Sequence, residues 1–371
     1  MTHQGEKGLL CLLFKEGTPE RIAWMHPEEK AAFGDIYRAR VQRVAGGMKS
    51  AFLELGEGLT AHMSLHGEKL KAGQEITVQI DQESFGNKLP GASGRMSLPG
   101  ILLVLTGEAG MLAFSHRGEF DGPRREAIYE ALSPYLEHCG FVLRTAAQTA
   151  QLDLIRQEGA CLHEKYHEIM QRAEHIPAPA RVAQGEAVYV EWIKNCGLEN
   201  IEEILCDQPE ILEDCRLLFK RGGMSQPPLK LWEDELSLGA FLNLEKIKAQ
   251  AINRQIWLKS GAYLVLDQTE AMTVIDVNSG KDEKNASAPG GVRNINQEAA
   301  REVARQLMLR NLSGMIMVDF INMESKEEEK SLLDLMRSLL DQDPVYARAI
   351  DITPLGIMEI TRRRVRRPLS L

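Results

Sequence analysis

Hydrophobic and polar positions change texture several times along the chain, and each texture predicts a different element. Gly8–Phe14 is apolar and Arg21–Met25 partly so, with Glu16-Gly17-Thr18-Pro19 between them, so a hairpin is expected first. Over residues 35–44 (DIYRARVQRV), Tyr37, Ala39 and Val41 take one side and Arg38, Arg40 and Gln42 the other. Gly46-Gly47 interrupts this run. Short runs follow at 51–55 (AFLEL), 59–63 and 75–80 (EITVQI), with glycines between them. Short alternating strands at even spacing predict a small antiparallel barrel. A loop rich in Gly, Pro and Ser at 88–100 (KLPGASGRMSLPG) then leads into a buried strand at Ile101–Leu105.

Further on the pattern is mainly helical. Arg124–Leu136 carries Ile128, Leu132 and Leu136 on one side, and Thr149–Glu174 is one long helix with Leu152, Ile155, Leu162, Ile169 and Met170 inward. The run IPAPA at 176–180 stops it. Gly140–Leu143 reads as a strand ending on Arg144-Thr145. There Thr145 caps the next helix or, with Arg144, holds a phosphate. Ala187–Trp192 reads as a strand, Glu199–Leu205 and Glu210–Leu218 as helical or mixed, Leu231–Asn243 as a loop with a short helix, and Leu244–Trp257 as a helix. His163 and His167 stand at i, i+4, a metal-ligating spacing, but no carboxylate context supports it, and an exposed helical pair is the reading taken.

The stretch 261–323 organises the rest. Two apolar runs, Met272–Ile275 and Met315–Val318, each close on an aspartate, Asp276 and Asp319. Both read as buried strands. Side chains alternate along a strand, so Asp276 and Asn278 share a face. The segment between is expected to be a polar loop at 281–291 and then a helix. Asn294 and Gln297 would form its capping box, Ala300, Val303, Ala304 and Leu307 its apolar stripe, and Gly314 its C-terminal cap. A strand–helix–strand unit gathers its site at the carboxyl ends of the strands. Two carboxylates meeting there with an amide suit a hard cation such as magnesium. The competing reading makes both aspartates strand-end caps or salt-bridge partners. A helix at Ser325–Leu340, a strand at Ala347–Ile352 and the segment Gly356–Thr361 follow.

Composition narrows the classes. A chain of 371 residues suggests two to three domains. Its net charge of −9 is not that of a globally basic nucleic-acid binder, so such binding needs local patches. Two stand out: Arg38, Arg40, Arg43 and Lys49, and the run Arg362, Arg363, Arg364, Arg366, Arg367. The six cysteines include no C-x-x-C pair, which argues against a cysteine-built zinc site and a disulfide framework, and points to a reducing, cytoplasmic setting. No segment is long and apolar enough to span a membrane, and the first residues lack signal-peptide character.

The motifs KSGAYLVLDQTEAMTVIDVNSG (259–280) and NQEAAREVARQLMLRNLSGMIMVDFINM (296–323) resemble the ribonuclease E/G family closely. KLPGASGRMSLPG, GFVLRTA and PLGIMEITRRR fall in the family's order, and the barrel pattern resembles an RNA-binding OB-fold domain. The resemblance implies a magnesium-dependent endoribonuclease, with manganese as a substitute ion, that cuts single-stranded RNA to leave a 5′-phosphate and a 3′-hydroxyl. By that resemblance Asp276 and Asp319 hold the metal and Asn278 orients a water or the phosphate. Gly100, Val104, Arg144 and Thr145 sense a 5′-monophosphate, and Phe52, His62, Lys88, Arg117 and Arg348 bind RNA. Core packing is the competing reading for Phe52 and His62. Asn322 stands where related sequences often carry a second aspartate.

The implied architecture is α/β and multi-domain. An RNase H-like part comprises 1–33 and 188–251, an OB-fold domain 34–93, a 5′-sensor region 94–187 and a DNase I-like catalytic domain 252–371. The family's zinc-binding cysteine pair and small domain have no counterpart before Leu371, so no zinc is expected and a homo-oligomer would lack a zinc link. The alternatives are a non-catalytic RNA-binding protein of the same fold and a magnesium-dependent phosphohydrolase of a small substrate.

Overall fold

The computed structural model describes residues 2–3, 6–25, 29–86, 88–222, 226–280, 290–323 and 325–369. The polar loop expected at 281–291 lies, over 281–289, outside the described residues. The chain divides into two compact units, residues 1–28 with 239–371, and residues 29–238. No described helix is long and apolar enough to cross a membrane.

The expected hairpin opens the first unit. Strands β1 (Leu9–Lys15) and β2 (Thr18–Met25) pair antiparallel. Glu16 and Gly17 turn between them with φ of 49° and 72°, the left-handed pair that matches the twist of a two-residue hairpin. Thr18 and Pro19 belong to the strand and not to the turn.

In the second unit, β3 (Ile36–Ala45), β4 (Ser50–Gly56), β5 (Leu59–Ser64), β6 (Glu75–Gln82) and β7 (Gly91–Ser93) run in the order β3-β4-β5-β7-β6, and β6 pairs back onto β3. This is a closed five-strand barrel, consistent with an OB-fold. Its interior holds alternate residues: Tyr37, Ala39 and Val41, Ala51, Leu53 and Leu55, Ala61 and Met63, Val78 and Ile80. The closing strand β7 comes from the segment expected as a loop, because three residues are too few to show alternation.

A four-stranded sheet follows: β8 (Ser97–Pro99), β9 (Leu103–Thr106), β10 (Leu112–Phe114) and β11 (Gly140–Leu143), in the order β8-β9-β11-β10. Only β10 and β11 run parallel. Helices α1 (Gly122–Leu132) and α2 (Leu152–His175) share its core through Ile128, Leu132, Ile155 and Leu162. Strand β12 (Ala180–Ala183) adds to the barrel beside β3. The expected strand at Ala187–Trp192 is instead helix α3 (Val188–Cys196). Its β-branched run mimics a strand, but Val188, Ile193 and Lys194 are the residues buried, and packing overrides the local preference. Glu199–Leu205 forms a short turn and strand β13 (Ile204–Cys206), which pairs with β14 (Leu229–Leu231) around α4 (Pro209–Arg221).

The first unit resumes with α5 (Leu244–Ile252) and a six-stranded sheet: β15 (Gln255–Trp257), β16 (Tyr263–Gln268), β17 (Met272–Asn278), then α6 (Gly291–Leu309), β18 (Gly314–Asp319), α7 (Lys326–Leu340), β19 (Ala347–Ile352) and β20 (Ile357–Arg362). The strand order is β15-β16-β17-β18-β20-β19. One face packs on α6 and α7: Ile275, Val277, Ile316 and Val318 meet Ala299, Val303, Leu307, Leu332 and Met336. The other face leaves Trp257, Val274 and Met315 exposed.

Three expected boundaries move. The helix expected over Leu244–Trp257 stops at Ile252, and Trp257 sits on a strand. Helix α6 starts at Gly291, so Asn294 lies inside it, its N–H bonded to the Gly290 carbonyl, and forms no capping box. The helix closes through the Arg310 N–H on the Gln306 carbonyl. Gly314 therefore caps nothing. At φ +90° it opens β18, where a Cβ would meet the Arg364 guanidinium at 2.8 Å.

Candidate active site

The parallel pair β17/β18 sets the carboxylates side by side. Its register joins Met272 to Met315, Val274 to Met317 and Asp276 to Asp319. Residues opposite each other in a ladder share a face, and neighbouring strands stand about 4.8 Å apart. Thr273, Ile275 and Val277 point into the helical core with Ile316 and Val318. By alternation Asp276, Asn278 and Asp319 occupy the opposite, open face, where both aspartates are exposed. Asn278 Nδ2 donates to Asp276 Oδ2 at 2.7 Å, which ties the amide to the carboxylate. Neither aspartate has a basic ion-pair partner among the described residues, so the salt-bridge reading fails. Two carboxylates and an amide oxygen form a hard-oxygen donor set of the size magnesium accepts when it keeps several waters. Among the described residues no three His, Cys, Asp or Glu side chains cluster as a metal site.

The loop after Asp319 is held by a residue the sequence reading passed over. Asn296, on α6, is fully buried. Its Nδ2 donates to the Ile321 carbonyl at 2.7 Å, and its Oδ1 accepts from the Ile321 N–H at 3.1 Å. The signal was an amide inside the apolar stripe of α6. Asn322 follows it, exposed, with its Oδ1 3.6 Å from where a Cβ on Gly356 would lie.

In the other unit the parallel ends of β10 and β11 bring Ser115 and Arg117 beside Arg144 and Thr145. Ser115 Oγ and Thr145 Oγ1 are 3.0 Å apart, and the Arg117 N–H donates to Ser115 Oγ at 3.2 Å. The Arg144 N–H donates to the Leu102 carbonyl, and its Nη1 donates to Asn195 Oδ1 at 2.8 Å. Arg144 Nε is buried without a hydrogen-bond partner. Burial pulls its guanidinium below the ordinary arginine value, against the charges of Glu158, Glu186 and Glu191. Val104 pairs with Pro99, and the Gly100 N–H bonds the Leu103 carbonyl. The next three N–H groups, of Ile101, Leu102 and Leu103, converge on the Glu158 carboxylate at 2.5, 2.7 and 2.9 Å. A Cβ on Gly100 would lie 2.7 Å from that carboxyl carbon, so only glycine fits. Burial raises the Glu158 pKa, and the three N–H groups and Lys194 hold it down.

Phe52 and His62 point away from the barrel core. They pair across β4 and β5 with ring centroids 5.8 Å apart, edge to face. The Arg43 guanidinium stacks 4.5 Å over the Phe52 ring. Core packing is thus ruled out for both rings, and Arg43, Phe52 and His62 form one row across three strands. Lys88 is exposed, two residues before Pro90, whose carbonyl accepts from the His62 N–H. Arg348 shares the open face of the carboxylate sheet, since it pairs with Thr361 as Asp319 pairs with Ile357. Four residues of β20 separate those two rows, about 13 Å along the strand.

Several expected basic groups are engaged elsewhere. Arg38 and Arg40 both reach Glu75, and Arg40 also donates to the Ala178 carbonyl at 2.7 Å. Arg362 is buried against Asp343 at 2.7 Å and bonds Asn311 and the Leu312 carbonyl, so it belongs to the core and not to a surface patch. His163 and His167 are not a simple exposed pair. His138, distant in sequence, joins them with ring centroids 5.1 to 6.3 Å apart, and His163 Nε2 is buried without a partner.

The fold and this geometry define an α/β protein with a closed barrel in one unit and paired carboxylates at the carboxyl ends of two parallel strands in the other. The sequence model of the Ribonuclease E/G family matches residues 97–365, and the chain belongs to that family. It is similar to ribonuclease E of Escherichia coli (strain K12), 30% identical over 364 residues that cover 92% of this chain and 34% of that protein. It is also similar to ribonuclease G of Haemophilus influenzae, at 27% over 92% of this chain and 74% of that protein, and to ribonuclease E of Nostoc sp., at 29% over 89% and 51%. The chain thus spans about a third of the first of these and about three quarters of the second.

Proposed function

We propose that this chain is a magnesium-dependent endoribonuclease that cleaves single-stranded RNA, favours 5′-monophosphorylated substrates and acts in cytoplasmic RNA processing or decay. The observation that carries the proposal is the exposed, register-matched pair Asp276 and Asp319 with Asn278 bonded to it, in a chain of the Ribonuclease E/G family. Asp276 and Asp319 hold magnesium, or manganese in its place, and the bound ion supplies Lewis-acid polarisation of the phosphodiester. Asn278 spends one Nδ2 hydrogen on Asp276 and keeps its second hydrogen to orient a phosphoryl oxygen. Hydrolysis that breaks the bond from phosphorus to the 3′-oxygen leaves the 5′-phosphate and 3′-hydroxyl expected from the resemblance.

The 5′-monophosphate preference rests on Arg144, Thr145, Gly100 and Val104. The unpartnered Arg144 Nε is a donor that a phosphate oxygen would satisfy. Phe52, His62 and Lys88, with Arg43, suit stacking of bases and tracking of phosphates, and Arg117 and Arg348 add charge. In the same reading the barrel is the OB-fold RNA-binding domain of 34–93, residues 94–187 form the 5′-sensor region, 252–371 are DNase I-like, 1–33 with 188–251 are RNase H-like, and any homo-oligomer forms without a zinc link.

The test is a 5′-monophosphorylated, labelled single-stranded oligonucleotide incubated with magnesium and either wild type or Asp276→Asn. Internal cleavage is expected for wild type and its loss for the variant. Equal cleavage by both proteins, or binding without cleavage by wild type, overturns the proposal. Arg144→Ala is expected to shrink the rate ratio of 5′-monophosphate over 5′-hydroxyl substrates. An equal loss on both ends refutes the sensor role.

A further inference from the structure

We infer that Trp257 and Tyr263 form a base-stacking platform beside the carboxylate pair, taking the nucleobase of a nucleotide that flanks the scissile phosphate of single-stranded RNA; this rests on the nuclease reading above. The platform is built by sheet register. Trp257 pairs with Tyr263 across β15 and β16, and Tyr263 pairs with Asn278 across β16 and β17. Directly opposed residues of antiparallel strands project from one face. Trp257, Tyr263 and Asn278 therefore form a row on the open face, next to the row Val265, Asp276, Asp319. The alternate residues Ile256, Leu264 and Val277 point into the helical core.

The two rings touch each other and face water. Their centroids lie 5.1 Å apart at 53°. Trp257 is 63% exposed, the only tryptophan among the described residues with a large exposed ring surface. Tyr263 stands about 5 Å from Asn278, and Trp257 one strand further out, about 10 Å away. A phosphodiester held at Asp276, Asn278 and Asp319 sends the base of its neighbouring nucleotide across the sheet by the length of one ribose, onto these rings. Every nucleobase offers a π-face, so the platform accepts any base and is selective for unpaired strands, whose bases are free to leave the stack.

The experiment compares the full chain with Trp257→Ala and Trp257→Phe on a 5′-monophosphorylated RNA cleaved at one internal site, and on copies carrying a single abasic nucleotide at each position flanking that site. Stacking on an aromatic side chain amounts to roughly a 5- to 150-fold change in affinity per base, so Trp257→Ala is expected to raise KM about tenfold with kcat little changed. Trp257→Phe is expected to restore most of it. One flanking abasic substitution should raise the wild-type KM by the same factor and make Trp257→Ala indistinguishable from wild type. An unchanged KM for Trp257→Ala, or the same penalty on every abasic substrate, overturns the platform while the nuclease reading stands. Absence of any cleavage by wild type overturns both. If Trp257→Ala fails to fold, Tyr263→Ala read on the same abasic substrates decides the matter.

Discussion

Asn296→Ala should loosen the loop that follows Asp319 while leaving the sheet intact. The amide is fully buried and makes two hydrogen bonds to one backbone residue, Ile321, at 2.7 and 3.1 Å. Each such bond contributes about 0.5–1.5 kcal/mol net, and a buried group left unpaired costs about 1–3 kcal/mol. Ile321 is half-buried, so water can reach part of what is vacated. A loss of about 2–3 kcal/mol is therefore expected, less than the cost of orphaning both groups in a dry core. The second effect is local. Ile321 lies two residues after Asp319, so its release frees the carboxylate to wander from Asp276. Cleavage should fall, and more magnesium should be needed to reach half-maximal rate. Asn296→Asp keeps the acceptor for the Ile321 N–H but sets an oxygen against the Ile321 carbonyl, so it should be no milder than alanine. Urea unfolding followed by far-UV circular dichroism reads the first effect, and initial rates across a magnesium titration read the second. If Asn296→Ala loses less than about 0.5 kcal/mol and keeps the wild-type magnesium dependence, the clamp has no role in placing Asp319.

Other features give sharp expectations. Asp343→Asn leaves the buried Arg362 charge unpaired and should destabilise the chain by about 3–5 kcal/mol, read as a fall in the denaturant midpoint; a change within 1 kcal/mol would mean the pair is solvated. Burial, His167 and His138 lower the His163 pKa below its ordinary 6.5, so the unfolded chain takes up a proton there before the folded one does. That contribution is complete above about pH 6.5 and is lost as pH falls from there through the folded value, so melting temperature should drop on acidification and His163→Phe should flatten the slope. Glu158→Ala removes the acceptor of three N–H groups and should cost about 3–5 kcal/mol, and it should also narrow the rate ratio between 5′-monophosphate and 5′-hydroxyl substrates, because Gly100 and Val104 flank the released segment. A variant with an unchanged ratio would separate Glu158 from that site.

What the sequence made legible depended on how long each signal ran. Asp276 and Asp319 could be paired because Met272–Asp276 and Met315–Asp319 are equal apolar runs, each closing on an aspartate, around one helix, and the parallel register aligns them residue for residue. The barrel was visible for the same reason, since β3 to β6 alternate over six to ten residues each. Signals shorter than one period were lost. Strand β7 has three residues and was hidden in a loop, and β15 has three and was absorbed into the preceding helix, which took Trp257 with it. A different failure hid Asn296. Reading α6 as an apolar stripe with Asn294 as its cap discarded the one polar side chain that the stripe buries. The His138, His163 and His167 cluster, and the pairing of Arg362 with Asp343, join residues that no local window contains.

Those failures are not scattered at random over the molecule. The carboxylate sheet packs one face on α6 and α7, and that face writes a strong pattern because every second residue must be apolar. The opposite face is free of that constraint, so burial does not dictate its residues. Asp276, Asn278 and Asp319 could be read there because each apolar run closes on an aspartate, and the family motifs mark the same residues. Trp257 and Tyr263 carry no such mark, and as one ring in an assumed helix and another in a strand they had no reason to be associated. Register alone joins them to Asn278, so an aromatic row ending on that amide becomes visible only once the strands are paired. The residues least legible in this chain are accordingly those on the open face, where the periodicity that predicts the fold says least.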